Sequence, residues 1–349
     1  MSSLSSTILA STILALISAF FSTFAWSQLR TIPNQLTNLA FVLPVHCDFP
    51  EECYIQSYVD LDPGPGIQDR ACGIHTYDNH KGTDFRLRSL DLMDRGIPVL
   101  AVASGKVVRT RDGMRDVHMS LFGQKLAFRR GAGNHVLIDH GSGWKTLYGH
   151  MRQGSVTVKA GDSVKPGQQV GLVGMSGLTE FPHLHFEISK FNNTIDPFIG
   201  LANTDNCKGP KQSLWTSEAL EVLSYRDRFL IATGFADMPL SREALLYQLH
   251  VSDRISRKAP NLVFHVDFAG LRAGDVYEMR IYAPDGNIFA ENRTLSNKDI
   301  PVSFRLLGRK IAKRRAWPTG EYRGEFILYR EKGGQKSVFI HHETRMIVN

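Results

Sequence analysis

Five side chains of this chain are of types that ligate metals and move protons: His80, Asp84, His150, His183 and His185. The stretch Phe181-Pro182-His183-Leu184-His185-Phe186-Glu187 places two histidines two residues apart in an apolar run. A β-strand alternates its faces, so His183 and His185 point one way while Leu184 and Phe186 point into a core. Two imidazoles on one strand face can bind a metal, or one can ligate while the other handles protons. Taken alone, such a pair is more often an ordinary polar strand face. The missing ligands must come from elsewhere.

His80-Lys81-Gly82-Thr83-Asp84 can supply them. Read as a strand, His80, Gly82 and Asp84 share a face, with Phe85 and Leu87 opposite. Gly82 has no side chain, which leaves space between the imidazole and the carboxylate for an ion. In Trp144-Lys145-Thr146-Leu147-Tyr148-Gly149-His150-Met151, alternation puts Thr146, Tyr148 and His150 on one face. A catalytic zinc takes three protein ligands and keeps a fourth position for water. Two imidazoles and a carboxylate leave one net positive charge, enough to acidify that water. The remaining histidines would manage protons and steady the developing oxyanion. The residues themselves leave open whether His183 or His185 is the ligand.

The elements that must position these groups read as mainly β. GIPVLAVASGKVV, VLIDHG and VTVKAGDSVKPGQQVGLVGMSG are short apolar runs turned at glycines. Residues 109–134 read as a surface excursion, with His118 exposed and idle. Residues 28–71 read as an irregular lead-in. Asp60, Asp62 and Asp69 within it lack calcium-loop spacing. Residues 201–230 read as a linker with a short helix from Ser217. From 231 to 349 strands recur at regular spacing, which predicts a C-terminal β-sandwich-like domain. His341 and His342 are adjacent, so they face opposite ways and read as surface. Arg309 to Arg315 is a basic run that reads as a solvated face.

Composition bounds the rest. The chain has 349 residues, 42% of them hydrophobic, enough for two or three cores. The net charge of +7 suits an acidic polymer, an anionic membrane surface or nucleic acid. Ile8 to Trp26 is a nearly unbroken apolar run with a small-x-small site at Ala25-Trp26-Ser27. Residues 1–27 therefore read as a signal peptide, and export argues against nucleic acid as partner. The segment before the run has no Lys or Arg, so an uncleaved membrane anchor is the alternative, at ~20 residues to span a bilayer. Cys47, Cys53, Cys72 and Cys207 suit an oxidising compartment; three pairings are open, and none of the spacings is CxxC.

Together HKGTD, GIPVLAVASGKVV, IDHGSGWKTLYGHM, GDSVKPGQQVGLVGMSG and PHLHFE make residues 72–200 resemble the lysostaphin-type, LytM-like zinc metallopeptidases of the M23 group. The resemblance implies a small antiparallel β domain with a narrow groove that cleaves peptide bonds in peptidoglycan. It makes His80, Asp84 and His185 the Zn2+ ligands, and His150 and His183 the catalytic residues flanking the water. Thr179-Glu180-Phe181 departs from the Ser/Thr-Gly pair that many relatives carry before PHLHFE. Tyr77 is a weak counterpart for an oxyanion-stabilising tyrosine. The alternative function is a non-catalytic LytM-like regulator that activates cell-wall amidases, which would be expected to lack at least one of these five residues.

Overall fold

The computed structural model describes residues 39–121, 131–201, 207–208, 211–247, 251–312 and 315–349. The N-terminal signal segment expected from the sequence, and the middle of the 109–134 excursion, lie outside them.

Short runs of β-branched and aromatic residues cut by glycines give short strands. The first sheet has the order β1-β2-β9-β6-β5-β4-β7, with β10 on the free part of β9, and all its pairs are antiparallel. These strands are β1 (Cys53–Ser57), β2 (Gly82–Leu87), β4 (Gly105–Arg111), β5 (Asn134–Gly141), β6 (Trp144–Met151), β7 (Ser163–Val164), β9 (His183–Lys190) and β10 (Asn193–Thr194). A separate ribbon pairs β3 (Pro98–Leu100) with β8 (Gln169–Leu172). The HLH strand β9 is central, hydrogen-bonded to β2 on one side and β6 on the other. Its alternation is as expected: Leu184, Phe186 and Ile188 are buried in the core beneath the sheet. Phe186 packs 5.3 Å from Tyr148 and 5.6 Å from Trp215 between ring centroids. Each such buried side chain contributes about 1.5–3 kcal/mol.

Two segments expected to be irregular are built into this domain. The lead-in supplies β1, and Phe41, Val45, Tyr54 and Tyr58 of the same segment are buried. The linker supplies Trp215, which bridges to Phe41 and fills the core against Phe85 and Phe186. Large apolar side chains pull both segments in, because leaving them in water forfeits their burial energy. Cys47 is bonded to Cys53, and Cys72 to Cys207.

The C-terminal part is a sandwich of two sheets. One has the order β11-β13-β16, from β11 (Phe229–Ala236), β13 (Asn261–Leu271) and β16 (Ile300–Lys310). The other has the order β12-β18-β17-β14-β15, from β12 (Arg254–Ile255), β18 (Gln335–Val348), β17 (Gly320–Lys332), β14 (Asp275–Tyr282) and β15 (Ile288–Leu295). Phe264, Val266 and Phe268 of β13 meet Met279, Tyr322 and Phe326 in the shared core, with Phe268 and Phe326 4.8 Å apart.

The opposite face of β13 is buried too. His265, Asp267 and Ala269 are at most 1% exposed. Ala269, Phe229 and Ile231 form a second apolar cluster with Tyr54 of β1, and the Tyr54 and Phe229 rings meet edge-on at 5.1 Å. Arg88, just past β2, donates to the carbonyls of Leu230 and Ile231 at 3.5 and 3.0 Å. His118 is half-buried rather than exposed: its N–H meets Tyr247 Oη at 3.3 Å and its Nδ1 lies 2.9 Å from Ser120 Oγ. Ala40–Asn349 accordingly form one compact unit.

Candidate metal centre

The register of the central strands brings the chemistry together. Asp84 on β2 stands opposite His185 on β9, and Gly82 opposite Glu187. His80 lies just before β2, and its side chain turns back to the same point. Its Nε2 is 3.2 Å from Asp84 Oδ1 and 3.3 Å from His185 Nδ1, and His185 Nδ1 is 3.0 Å from Asp84 Oδ1. Gly82 makes room, though not for an ion as the sequence suggests. A Cβ there would lie 2.5 Å from His185 Cε1, so the missing side chain seats the His185 imidazole.

His150 arrives by a different route from the one alternation predicts. Tyr148 pairs with Phe186 on the core face, and Gly149 pairs with His185 on the metal face. Continued alternation would bury His150 in the core. Its backbone is instead left-handed, at φ 56°, which turns the ring back over the site. Such a conformation costs a non-glycine residue about 1–3 kcal/mol. The His150 N–H donates to Ala132 O at 2.8 Å and helps hold the turn. The His150 ring lies 4.5 Å from that of His183 and 5.9 Å from that of His185.

Three of the four histidines have Nδ1 fixed by a backbone carbonyl. His80 Nδ1 donates to Tyr58 O at 2.7 Å, leaving Nε2 to face Asp84. His150 Nδ1 donates to Ser176 O at 2.7 Å. His183 Nδ1 donates to Phe181 O at 2.9 Å, with Thr179 Oγ1 at 3.1 Å. The Thr179-Glu180-Phe181 stretch thus aims His183, whose Nε2 lies 3.6 Å from Asp84 Oδ1. Outer partners of this kind select the tautomer and orient the ring. The Tyr77 ring stacks on His80 at 4.2 Å and is half-exposed.

The electrostatics separate the roles. Burial pushes His150 well below the usual imidazole range, and the neighbouring His183 and His185 add to that. Burial also lowers His183, against the pull of Asp84. Both rings are neutral near pH 7, with Nε2 lone pairs available as bases. Burial alone would raise Asp84, but the His80 and His183 imidazoles and hydrogen bonds from His185 and His80 hold it well below the carboxylate range. Burial opposes charge on His80 as well, yet Asp84 overcomes it and raises the group. A carboxylate flanked by imidazole nitrogens in this way can hold a cation in place of the protons they share.

The donor set fits zinc. Tetrahedral zinc with bonds near 2.0–2.1 Å sets its ligand atoms about 3.3 Å apart, and the three donor atoms here are separated by 3.0, 3.2 and 3.3 Å. A second cluster, Glu325, His341 and Glu343 on β17 and β18, has the composition of a site but is already balanced. Arg280 pairs with Glu325 and Arg323 with Glu343.

Part of the chain is similar to known proteins. The family model for peptidase family M23 matches residues 78–197. An uncharacterized metalloprotease of Haemophilus influenzae is 33% identical over 119 residues, 34% of this chain and 20% of the relative. The peptidoglycan DD-endopeptidase ShyB of Vibrio cholerae is 35% identical over 117 residues, 34% of this chain and 22% of the relative. The chain thus spans about a fifth of the length of the curated relatives it matches. Among solved structures, a zinc-containing peptidase from Vibrio cholerae aligns with 46% of this chain and 38% of that one, at 28% identity and a TM-score of 0.30. The catalytic domain of a prophage-encoded M23 protein from Enterococcus faecalis aligns with 44% of this chain and 92% of that one, at 27% identity and a TM-score of 0.30. Residues 78–197, about a third of the chain, thus carry the match to peptidase family M23.

Proposed function

We propose that the chain is an exported zinc metalloendopeptidase that hydrolyses peptide bonds in the cross-links or stems of bacterial peptidoglycan. One observation carries this reading. The three donor atoms stand at zinc spacing, with two neutral histidines beside them. A regulator that has lost catalysis has no reason to keep all five side chains, and the named Vibrio cholerae relative is a peptidoglycan endopeptidase.

His80, Asp84 and His185 would hold the ion. Zinc held there supplies a Lewis acid that polarises the scissile carbonyl and acidifies water. His150 and His183 do the proton work. With Nδ1–H tied to carbonyl oxygens, each offers Nε2 to take a proton from the attacking water. Once protonated, either ring can hydrogen-bond the developing oxyanion or return the proton to the leaving amine. Asp84 stays ionised throughout, since its surroundings stabilise the charge.

Residues 1–27 serve in this reading as the export signal, residues 72–200 as the core of the catalytic domain and residues 231–349 as a positioning module. No helix among the described residues is long and apolar enough to cross a membrane. The test is mass spectrometry of muropeptides released from purified sacculi by the wild type and by His185→Ala, with metal analysis of both. The wild type is expected to carry about one zinc per chain and to release peptide-cleaved products; His185→Ala is expected to lose both. Identical product profiles from the two would defeat the reading.

A further inference from the structure

A cleft of about 340 Å³, lined by both charged and apolar side chains, opens between the peptidase domain and the sandwich. Arg86 links its lining to the strand that carries Asp84. Asp84 and Arg86 lie on the same face of β2, and Arg86 stands opposite His183 as Asp84 stands opposite His185. Two residues of strand span about 7 Å, so the Arg86 backbone is one to two residues of extended peptide away from the metal ligand. The connection is made by packed groups. The Arg86 guanidinium lies 4.2 Å above the Phe181 ring, Phe181 lies 4.8 Å from His183, and His183 lies 4.5 Å from His150.

The charges lining the cleft are unevenly engaged. Arg242 pairs with Asp267 at 3.0 Å. Arg88 spends its donors on the carbonyls of Pro50, Leu230 and Ile231. The Glu243 carboxylate accepts from Ser120 Oγ at 3.1 Å. Glu180 is exposed at the rim. Arg86 remains. It donates one N–H to Gln56 Oε1, and no carboxylate lies within ion-pair distance of it among the described residues. A half-buried guanidinium over an aromatic ring, with no carboxylate partner among the described residues, can take a carboxylate in a fork of two hydrogen bonds.

We propose that this cleft is a substrate subsite in which Arg86 binds a free carboxylate of an acidic peptide, one to two residues from the bond being cleaved. The proposal rests on reading the metal cluster as a peptidase centre. It gives the sandwich a part in recognition, because Ile231, Arg242 and Val302 form the far wall.

The test uses cross-linked muropeptides in two forms, untreated and with their carboxylates converted to carboxamides. Binding is measured by calorimetry on full-length protein stripped of metal, so it does not depend on turnover. Wild type is expected to bind the untreated form about ten- to hundredfold more tightly. Arg86→Met, which keeps an apolar stem over Phe181, is expected to bind both forms alike, and Arg86→Lys to recover part of the preference. Equal binding of the two forms by wild type, or no binding of either, overturns the subsite without any need for a variant to fold. Retention of the full preference by Arg86→Met overturns the assignment to Arg86. Zinc-dependent hydrolysis of the two forms is read separately. Failure of zinc-loaded wild type to cleave either one overturns the peptidase reading and the subsite with it.

Discussion

Gly82 decides where His185 sits. A methyl group there would lie 2.5 Å from the imidazole and 2.9 Å from Phe186 O, and a backbone oxygen in a paired strand cannot give way. Gly82→Ala is therefore expected to displace His185 and cut zinc affinity at least about tenfold, while overpacking costs about 1–3 kcal/mol of stability. Metal titration and thermal melts check both parts; full zinc affinity in the variant would show that the ring has room to move. Asp196 poses a separate problem at the same scale. It is fully buried and accepts from the N–H groups of Phe198 and Ile199, but burial still pushes its carboxyl up to about 6. Its folded pKa exceeds its unfolded one, so the native state binds more protons between about pH 4 and pH 6. Stability then falls as pH rises through that window, by about 3 kcal/mol, and stays lower above it. Asp196→Asn keeps the acceptor and drops the charge. It is expected to raise Tm at pH 7.5 and to leave it nearly unchanged at pH 4. A variant that melts lower than wild type at pH 7.5 would contradict this.

At the scale of elements, what was legible in the sequence depended on whether residue type alone carried the signal. The alternation of β9 is written in His183-Leu184-His185-Phe186, because apolar and polar residues sort to opposite faces. The HKGTD and HLH residues converge as expected because β2 and β9 pair in the register that sets Asp84 against His185. The end of β6 was not legible. Nothing in Tyr148-Gly149-His150 announces a left-handed histidine, and the two-residue period sends the ring to the wrong side. The strand β1 was missed because Cys53–Ser57 is short and follows irregular chain. Its value lies in long-range pairing with β2, which no local pattern reports. The residue just past it, Tyr58, supplies the carbonyl that fixes His80, so that partner was hidden as well. Ranking His185 above His183 needed the family resemblance; in the structure His185 Nδ1 lies 3.0 Å from Asp84 Oδ1 and 3.3 Å from His80 Nε2, and His183 Nε2 lies 3.6 Å from Asp84 Oδ1.

For the molecule as a whole, the decisive feature is that β13 is buried on both faces. One face closes the sandwich core and the other packs through Ala269 and the neighbouring Phe229 and Ile231 against Tyr54. Further ties run from Tyr225 Oη to Asp69 at 2.8 Å and from His75 Nε2 to Asp227 O at 2.7 Å. Spin labels at the exposed positions Lys165 and Gln335 are expected to give a single narrow distance distribution, unchanged by zinc; a broad one would mean that the two parts move independently. A rigid link of this kind sets how the proposed peptidase would meet a surface. A peptidase on a loose tether samples every approach angle and works wherever its anchor lands. Here the strand that stiffens the sandwich also braces the sheet that carries Asp84 and His185. In the proposed function, anything gripped by the sandwich is therefore presented to His80, Asp84 and His185 at one fixed bearing, and the orientation of the target, as much as its chemistry, decides which bond is within reach.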